Sequence, residues 1–287
     1  MSLVSIDNLV VEFGTPSGPV RALDGVDFDA EAGERVAIVG ESGSGKSTIG
    51  SAIGTLLPTT ARYTDGAIEV AGVSVLKAAK PELRRLRREV LGYIPQDPIA
   101  TLDPTKRIGR QLEFVVGDLG GDTSATALAE LLARVRIREP EQVLRRFPHE
   151  LSGGMAQRVA IALAIARKPR VLIADEPTAS LDANVRREVL KLLFDFATEA
   201  GVTVIWLSHD LEAVARWCDR VVVMYRGVVV EDGPPDTVLT TPQHPYTQSL
   251  LEALPSRLEA GVEVRTYTQM IRAGELDGEE GARHESA

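Results

Sequence analysis

Gly40-Glu41-Ser42-Gly43-Ser44-Gly45-Lys46-Ser47-Thr48 is the stretch on which the rest of this chain depends. It fits G-x-x-x-x-G-K-[ST] and follows Arg35-Val36-Ala37-Ile38-Val39, an apolar run that predicts a buried strand. Behind it, Ile49 to Leu57 keeps helical spacing until Pro58. Strand, glycine loop and helix together give the pattern a mechanism. The glycines let the backbone wrap a polyphosphate closely, and loop N–H groups and the helix N-terminus point at its negative charge. Lys46 would reach the β- and γ-phosphates, and the Ser47 hydroxyl would sit on Mg²⁺. The chain is expected to bind a nucleoside triphosphate.

Upstream, Ser2 to Phe13 alternates apolar and polar residues, turns through Gly14 to Pro19, and resumes from Val20 to Phe28. An antiparallel hairpin therefore precedes the loop. Phe13 suits either a stacking platform for an adenine ring or a core position on its strand.

Downstream, Gly66 to Val75 reads as strand or hairpin, and Pro81 to Glu89 as a short basic helix. Its four arginines invite a nucleic-acid reading, but the Leu83 and Leu86 stripe favours a solvated face on an amphipathic helix. Val90 to Gln96 reads as a strand. From Asp97 to Phe147 apolar residues fall at helical spacing in Ile108–Val116 and Ser124–Val135, which predicts a mostly helical insertion on an α/β body. Leu151-Ser152-Gly153-Gly154-Met155-Ala156-Gln157-Arg158 opens a long helix, and Ser152 with its two glycines makes a second anion-binding helix start.

Val171 to Ala174 is an apolar run ending in Asp175-Glu176. An acid at that strand end can orient Mg²⁺ from the far side of the phosphate loop, and the Glu beside it can polarise a water for attack on the γ-phosphate. Asp182 is placed to cap the next helix, which Gly201 ends. Val202 to Ser208 is another buried strand leading to His209. Alone, His209 reads as structural; with the other strand ends it reads as a γ-phosphate contact. Arg220–Tyr225 and Val228–Glu231 form a closing strand pair.

The 287 residues suffice for one large domain or two small ones, and 44% hydrophobic with 25% charged residues is ordinary for a globular chain. Cys218 is the single cysteine, which forbids an intramolecular disulfide and reads as an inert small hydrophobe. Met1 to Val11 lacks a basic n-region, and no run of about 18 apolar residues occurs, so neither a signal peptide nor a membrane span is expected. The formal charge of −9 argues against a bare nucleic-acid binder and leaves room for a local basic patch; no nucleic-acid partner is expected. Residues 256–287 turn acidic and glycine-rich, and a partly disordered tail is expected there.

The ordered set of Gly40 to Thr48, Gln96, Leu151 to Gln157, Asp175-Glu176, Ser180-Leu181-Asp182 and His209 resembles the nucleotide-binding subunit of ATP-binding cassette (ABC) transporters. The resemblance covers roughly Met1 to Pro255. It implies a P-loop NTPase (RecA-like) α/β core with an antiparallel β subdomain and a helical signature subdomain at about 97–167. By that resemblance the cofactors are ATP and Mg²⁺. Ser47, Gln96 and Asp175 hold the metal, Glu176 is the general base, and His209 and Lys46 contact the γ-phosphate. Gln96 also senses a membrane partner, and Phe13 is the adenine platform. Ser152, Gly153, Gly154 and Gln157 belong to a signature that completes the opposite subunit's site, with Asp182 at the seam.

Tyr93-Ile94-Pro95-Gln96-Asp97-Pro98, Leu102-Asp103-Pro104 and His244-Pro245-Tyr246-Thr247 are similar to the dipeptide, oligopeptide and nickel importer group. Two departures stand out. Ala183-Asn184-Val185-Arg186-Arg187 replaces the group's usual threonine-valine-glutamine run, and the single cysteine excludes the cysteine-rich extension of some members. The implied partners are two transmembrane permease subunits, a second ABC ATPase subunit (a sibling chain rather than a copy), and indirectly an extracytoplasmic solute-binding protein. The implied location is the cytoplasmic face of the membrane. The alternative is a soluble ATPase in a multi-subunit enzyme such as the carbon–phosphorus lyase.

Overall fold

The computed structural model describes residues 2–179 and 181–254; Ser180 and the tail expected at 256–287 lie outside the described residues. Among the described residues the strands are β1 (Ser2–Thr15), β2 (Gly18–Glu31), β3 (Arg35–Val39), β4 (Ala61–Val70), β5 (Val73–Ser74), β6 (Leu91–Ile94), β7 (Val171–Asp175), β8 (Thr203–Ser208), β9 (Arg220–Tyr225) and β10 (Val228–Gly233). The helices are α1 (Lys46–Ile53), α2 (Lys80–Glu89), α3 (Pro98–Thr101), α4 (Ile108–Asp118), α5 (Ala125–Arg134), α6 (Pro140–Arg145), α7 (Gly153–Ile165), α8 (Ala183–Ala200), α9 (Leu211–Trp217), α10 (Pro235–Val238) and α11 (Pro245–Glu252).

Six strands form one sheet in the order β10-β9-β3-β8-β7-β6, parallel throughout except for the antiparallel edge strand β10. A parallel sheet must be covered on both faces, which explains why Val171 to Ala174 and Val36 to Val39 are apolar without alternation. Successive side chains still point to opposite faces. Val36 and Ile38 join Ile49 and Ile53 of α1 in a core shared with Val4, Ile6 and Leu9 of β1. Ala37 and Val39 join the other core with Trp206, Phe194 of α8 and Leu112 of α4. Phe194 stacks on Trp217 at 5.3 Å and meets Trp206 edge-on at 5.4 Å, so both tryptophans are packing residues.

The second sheet, β2-β1-β4-β5, is antiparallel and lies over α1. Helices α3 to α6 and the start of α7 occupy the chain between β6 and β7, where the helical insertion was expected. The basic helix α2 turns Leu86 into the core, while Arg85 and Arg88 both pair with Glu89 at 2.8 Å; it is a solvated face.

Two boundaries differ from expectation. Helix α1 begins at Lys46 rather than Ile49, because Gly45 at φ +106° caps it directly from the loop. It ends at Ile53, where Gly54 closes it, four residues short of the expected end at Leu57. Of the two readings open for Gly66 to Val75, strand or hairpin, the structure takes the hairpin, turned at Ala71-Gly72, both with positive φ.

Candidate functional site

The functional side chains gather at the C-terminal ends of the parallel strands, where open α/β sheets collect ligands. The loop after β3 is held by close packing. Gly40 sits at φ +150°, and a Cβ there would come within 2.2 Å of the Met224 carbonyl oxygen of β9. At Gly45 a Cβ would lie 2.9 Å from the Ala22 carbonyl oxygen. These two positions need glycine for space as much as for conformation.

Lys46, at the start of α1, is buried and folds its ammonium back over the loop. Its Nζ donates to the Gly40 carbonyl at 2.7 Å and the Glu41 carbonyl at 2.8 Å. Burial pushes its pKa below the ordinary lysine range, and the Glu176, Asp175 and Glu41 carboxylates oppose that shift. The loop therefore carries a poorly solvated cation, and that cation favours an incoming polyphosphate.

Asp175 ends β7, and both its oxygens are engaged. Ser47 Oγ donates to Oδ1 at 3.1 Å and Tyr93 OH to Oδ2 at 3.1 Å. Burial raises its pKa above the usual carboxylate range, while the Tyr93 and Ser47 hydrogen bonds pull it down. Compensating positive charge is thus short at this carboxylate. A hard divalent cation would supply it, with Ser47 and Asp175 as oxygen donors of the right type.

Glu176 adopts φ +42°, a left-handed conformation that a non-glycine residue rarely holds, and its N–H donates to the Leu207 carbonyl of β8 at 2.9 Å. The turn aims its carboxylate between two neighbours. Gln96 Nε2, beyond the end of β6, donates to Oε2 at 3.2 Å, and His209 Nδ1 lies 3.2 Å from Oε1. The structure thus brings together Lys46, Ser47, Gln96, Asp175, Glu176 and His209, drawn from four separate stretches of sequence. Phe13 is half-buried near the end of β1 and packs at the margin of the inter-sheet core.

Ser152 caps α7, its Oγ accepting the Met155 N–H at 3.3 Å, and Ser152 and Gly153 are exposed. Gln157 departs from the expectation of a nucleotide-facing residue. It is 1% exposed, one turn deeper than Gly153, where α7 has entered the core, and its Nε2 finds no hydrogen-bond partner among the described residues. Asp182 caps α8, accepting the Asn184 and Val185 N–H groups at 3.1 Å each.

Two tyrosines were missed. Tyr93 lay within a predicted strand and Tyr246 within the His-Pro-Tyr-Thr element, but nothing local marked Tyr93 for Asp175 or Tyr246 for the loop. A hollow of about 1030 Å³ also opens between α4 and the β6 edge, lined by Leu56, Tyr93, Pro95, Leu102 and Phe114 among others. Phe114 is 75% exposed beside it.

Residues 23–179 match the family model described as ABC transporter. The oligopeptide transport ATP-binding protein OppD of Bacillus subtilis (strain 168) is 40% identical over 92% of this chain and 75% of its own length. The dipeptide transport ATP-binding protein DppD of Escherichia coli (strain K12) is 40% identical over 89% of this chain and 79% of its own. Among solved structures, the dimeric post-hydrolysis state of the ATP-binding cassette MJ0796 bound to ADP and Pi matches with a TM-score of 0.72 at 30% identity, covering 81% of this chain and 98% of that one.

Proposed function

The chain belongs to the ABC transporter family and is an ATP-binding, ATP-hydrolysing subunit; from that premise we propose that it powers an importer of dipeptides or oligopeptides. The observation that carries the coupling to transport is strand β6. Tyr93 and Pro95 line the hollow beside α4, Tyr93 also donates to Asp175, and Gln96 donates to Glu176. Anything seated in the hollow is therefore one or two residues from the groups that hold metal and water. A cytoplasmic helix of a membrane-embedded permease fits this apolar trough, and exposed Phe114 offers it an anchor. No helix among the described residues is long and apolar enough to cross a membrane. In the proposed assembly the permeases carry the solute path and this chain docks on their cytoplasmic face.

In the proposed reaction the loop N–H groups and Lys46 hold the β- and γ-phosphates, and Phe13 supports the adenine. Ser47, Asp175 and Gln96 would hold Mg²⁺, which would supply positive charge to neutralise the phosphates. Glu176 orients a water and takes its proton, with His209 against the γ-phosphate. Exposed Ser152 and Gly153 and half-buried Gly154, with Asp182, complete the site of a second cassette closing face to face. The dimeric MJ0796 cassette supports this arrangement. A sibling chain is the proposed partner. Closure then gives ATP a different affinity for two transporter states, which is what moves a solute.

A mild affinity capture of this chain from detergent-solubilised native membranes tests the reading. Two polytopic proteins and a second cassette are expected. Soluble partners alone, with the chain absent from the membrane fraction, would sink it in favour of an enzyme-complex ATPase. In the captured assembly, Gln96→Ala is expected to leave ATP affinity within about twofold while reducing permease-stimulated hydrolysis about tenfold, on the scale of one lost charge-assisted hydrogen bond. Measuring hydrolysis with and without the permeases checks this.

A further inference from the structure

The C-terminal helix α11 reaches back to the phosphate loop. The Glu41 N–H donates to the Tyr246 phenol oxygen at 2.7 Å, a contact made across 205 positions of sequence. Tyr246 is fully buried, and its ring lies against Tyr225 of β9 with centroids 4.3 Å apart. The start of the helix is tied down as well. His244 Nδ1 accepts the Tyr246 N–H at 3.1 Å, and the Glu231 carboxylate of β10 accepts the N–H groups of Gln243 and His244 at 2.9 and 3.2 Å.

Residue 41 is therefore gripped on both sides. Tyr246 takes its N–H, while Lys46 Nζ takes its C=O at 2.8 Å. The residue before it, Gly40, is wedged against the Met224 carbonyl. When phosphates arrive, the Lys46 ammonium must share its donors with them. The Glu41 N–H bond to the buried phenol is not shared with the phosphates in this way, so it is the constant member of the pair.

We propose that Tyr246 is a positioning residue for ATP: its phenol oxygen keeps the first turn of the phosphate loop in the shape that receives the triphosphate. This rests on the phosphate-loop reading of residues 40–48. Burial also pushes the phenol above its ordinary range, which keeps it neutral through physiological pH. Without the hydroxyl, the loop relaxes in the empty site to let its freed N–H find water, and ATP binding must reverse that relaxation.

Tyr246→Phe keeps the ring packing and removes only the oxygen. In the full-length chain, the dissociation constant and the KM for ATP are expected to rise about three- to tenfold, the equivalent of one buried neutral hydrogen bond, with kcat within about twofold. Leu251→Ala, on the buried face of the same helix, supplies the stability control: Tm falls while the KM for ATP stays within about twofold. An unchanged KM in Tyr246→Phe with a Tm loss like that of Leu251→Ala would make Tyr246 merely structural and overturn the proposal. A kcat loss as large as the KM rise would overturn it too. Lys46→Ala run in parallel separates the two failures. If it abolishes ATP binding while Tyr246→Phe binds normally, the loop reading stands and the positioning role falls.

Discussion

Glu176→Gln is expected to bind ATP as the unaltered chain does and to turn it over about two to four orders of magnitude more slowly, the usual worth of a general base. The geometry makes this substitution clean. Glu176 is fixed by its N–H bond to Leu207 and by an unusual backbone conformation, neither of which involves the carboxylate. An amide keeps an oxygen to accept from Gln96 or His209, which now bracket the carboxylate at 3.2 Å each. What it loses is basicity. The variant therefore separates binding from proton removal, as a truncation to alanine would not. Equilibrium ATP titration and single-turnover hydrolysis measure the two halves separately. Near-normal turnover would transfer the base role to another group.

Lys46→Ala acts on the other half of the cycle. ATP affinity is expected to fall by about two to four orders of magnitude, from two charge-assisted hydrogen bonds of about 1.5–3 kcal/mol each. The loss has two sources. The phosphates forfeit the ammonium, and Glu176, Asp175 and Glu41, which act on Lys46 electrostatically, are left to repel the triphosphate. The fold should tolerate the change, since α1 keeps Ile49 and Ile53 in the inter-sheet core. A nucleotide titration paired with a thermal melt distinguishes lost affinity from lost structure. Binding within tenfold of the unaltered chain would contradict the placement of Lys46 at the phosphates.

The gathering of the candidate residues was largely readable because each part sits in a short local pattern whose chemistry is explicit. Gly40 to Thr48 carries its strand and helix context with it, and Asp175-Glu176 ends a run that must be a buried strand. The central sheet was readable for the same reason, since its parallel strands are nearly continuous apolar runs bounded by turn residues. Local patterns do not encode how distant parts of the chain meet. Nothing near Tyr246 says that its oxygen meets Glu41, and nothing near Gly40 says that Met224 leaves no room for a Cβ. Gln157 shows the converse. Its motif marked it for the nucleotide, but helical geometry carried it a turn below exposed Gly153 and into the core. At α1, proline drew attention as the stop signal, whereas the weaker signal of Gly54 ended the helix first.

Cys218 closes α9 as a buried residue, and burial pushes its thiol above the ordinary cysteine range. A thiolate is the reactive species, so the natural chain is close to silent toward maleimides and other thiol reagents under native conditions. Any cysteine introduced on the surface becomes the single chemical handle of the molecule. Placed at exposed Gly153 or Asp182, it would report by cross-linking when two cassettes close; placed at exposed Phe114, by a fluorophore, when the trough is filled.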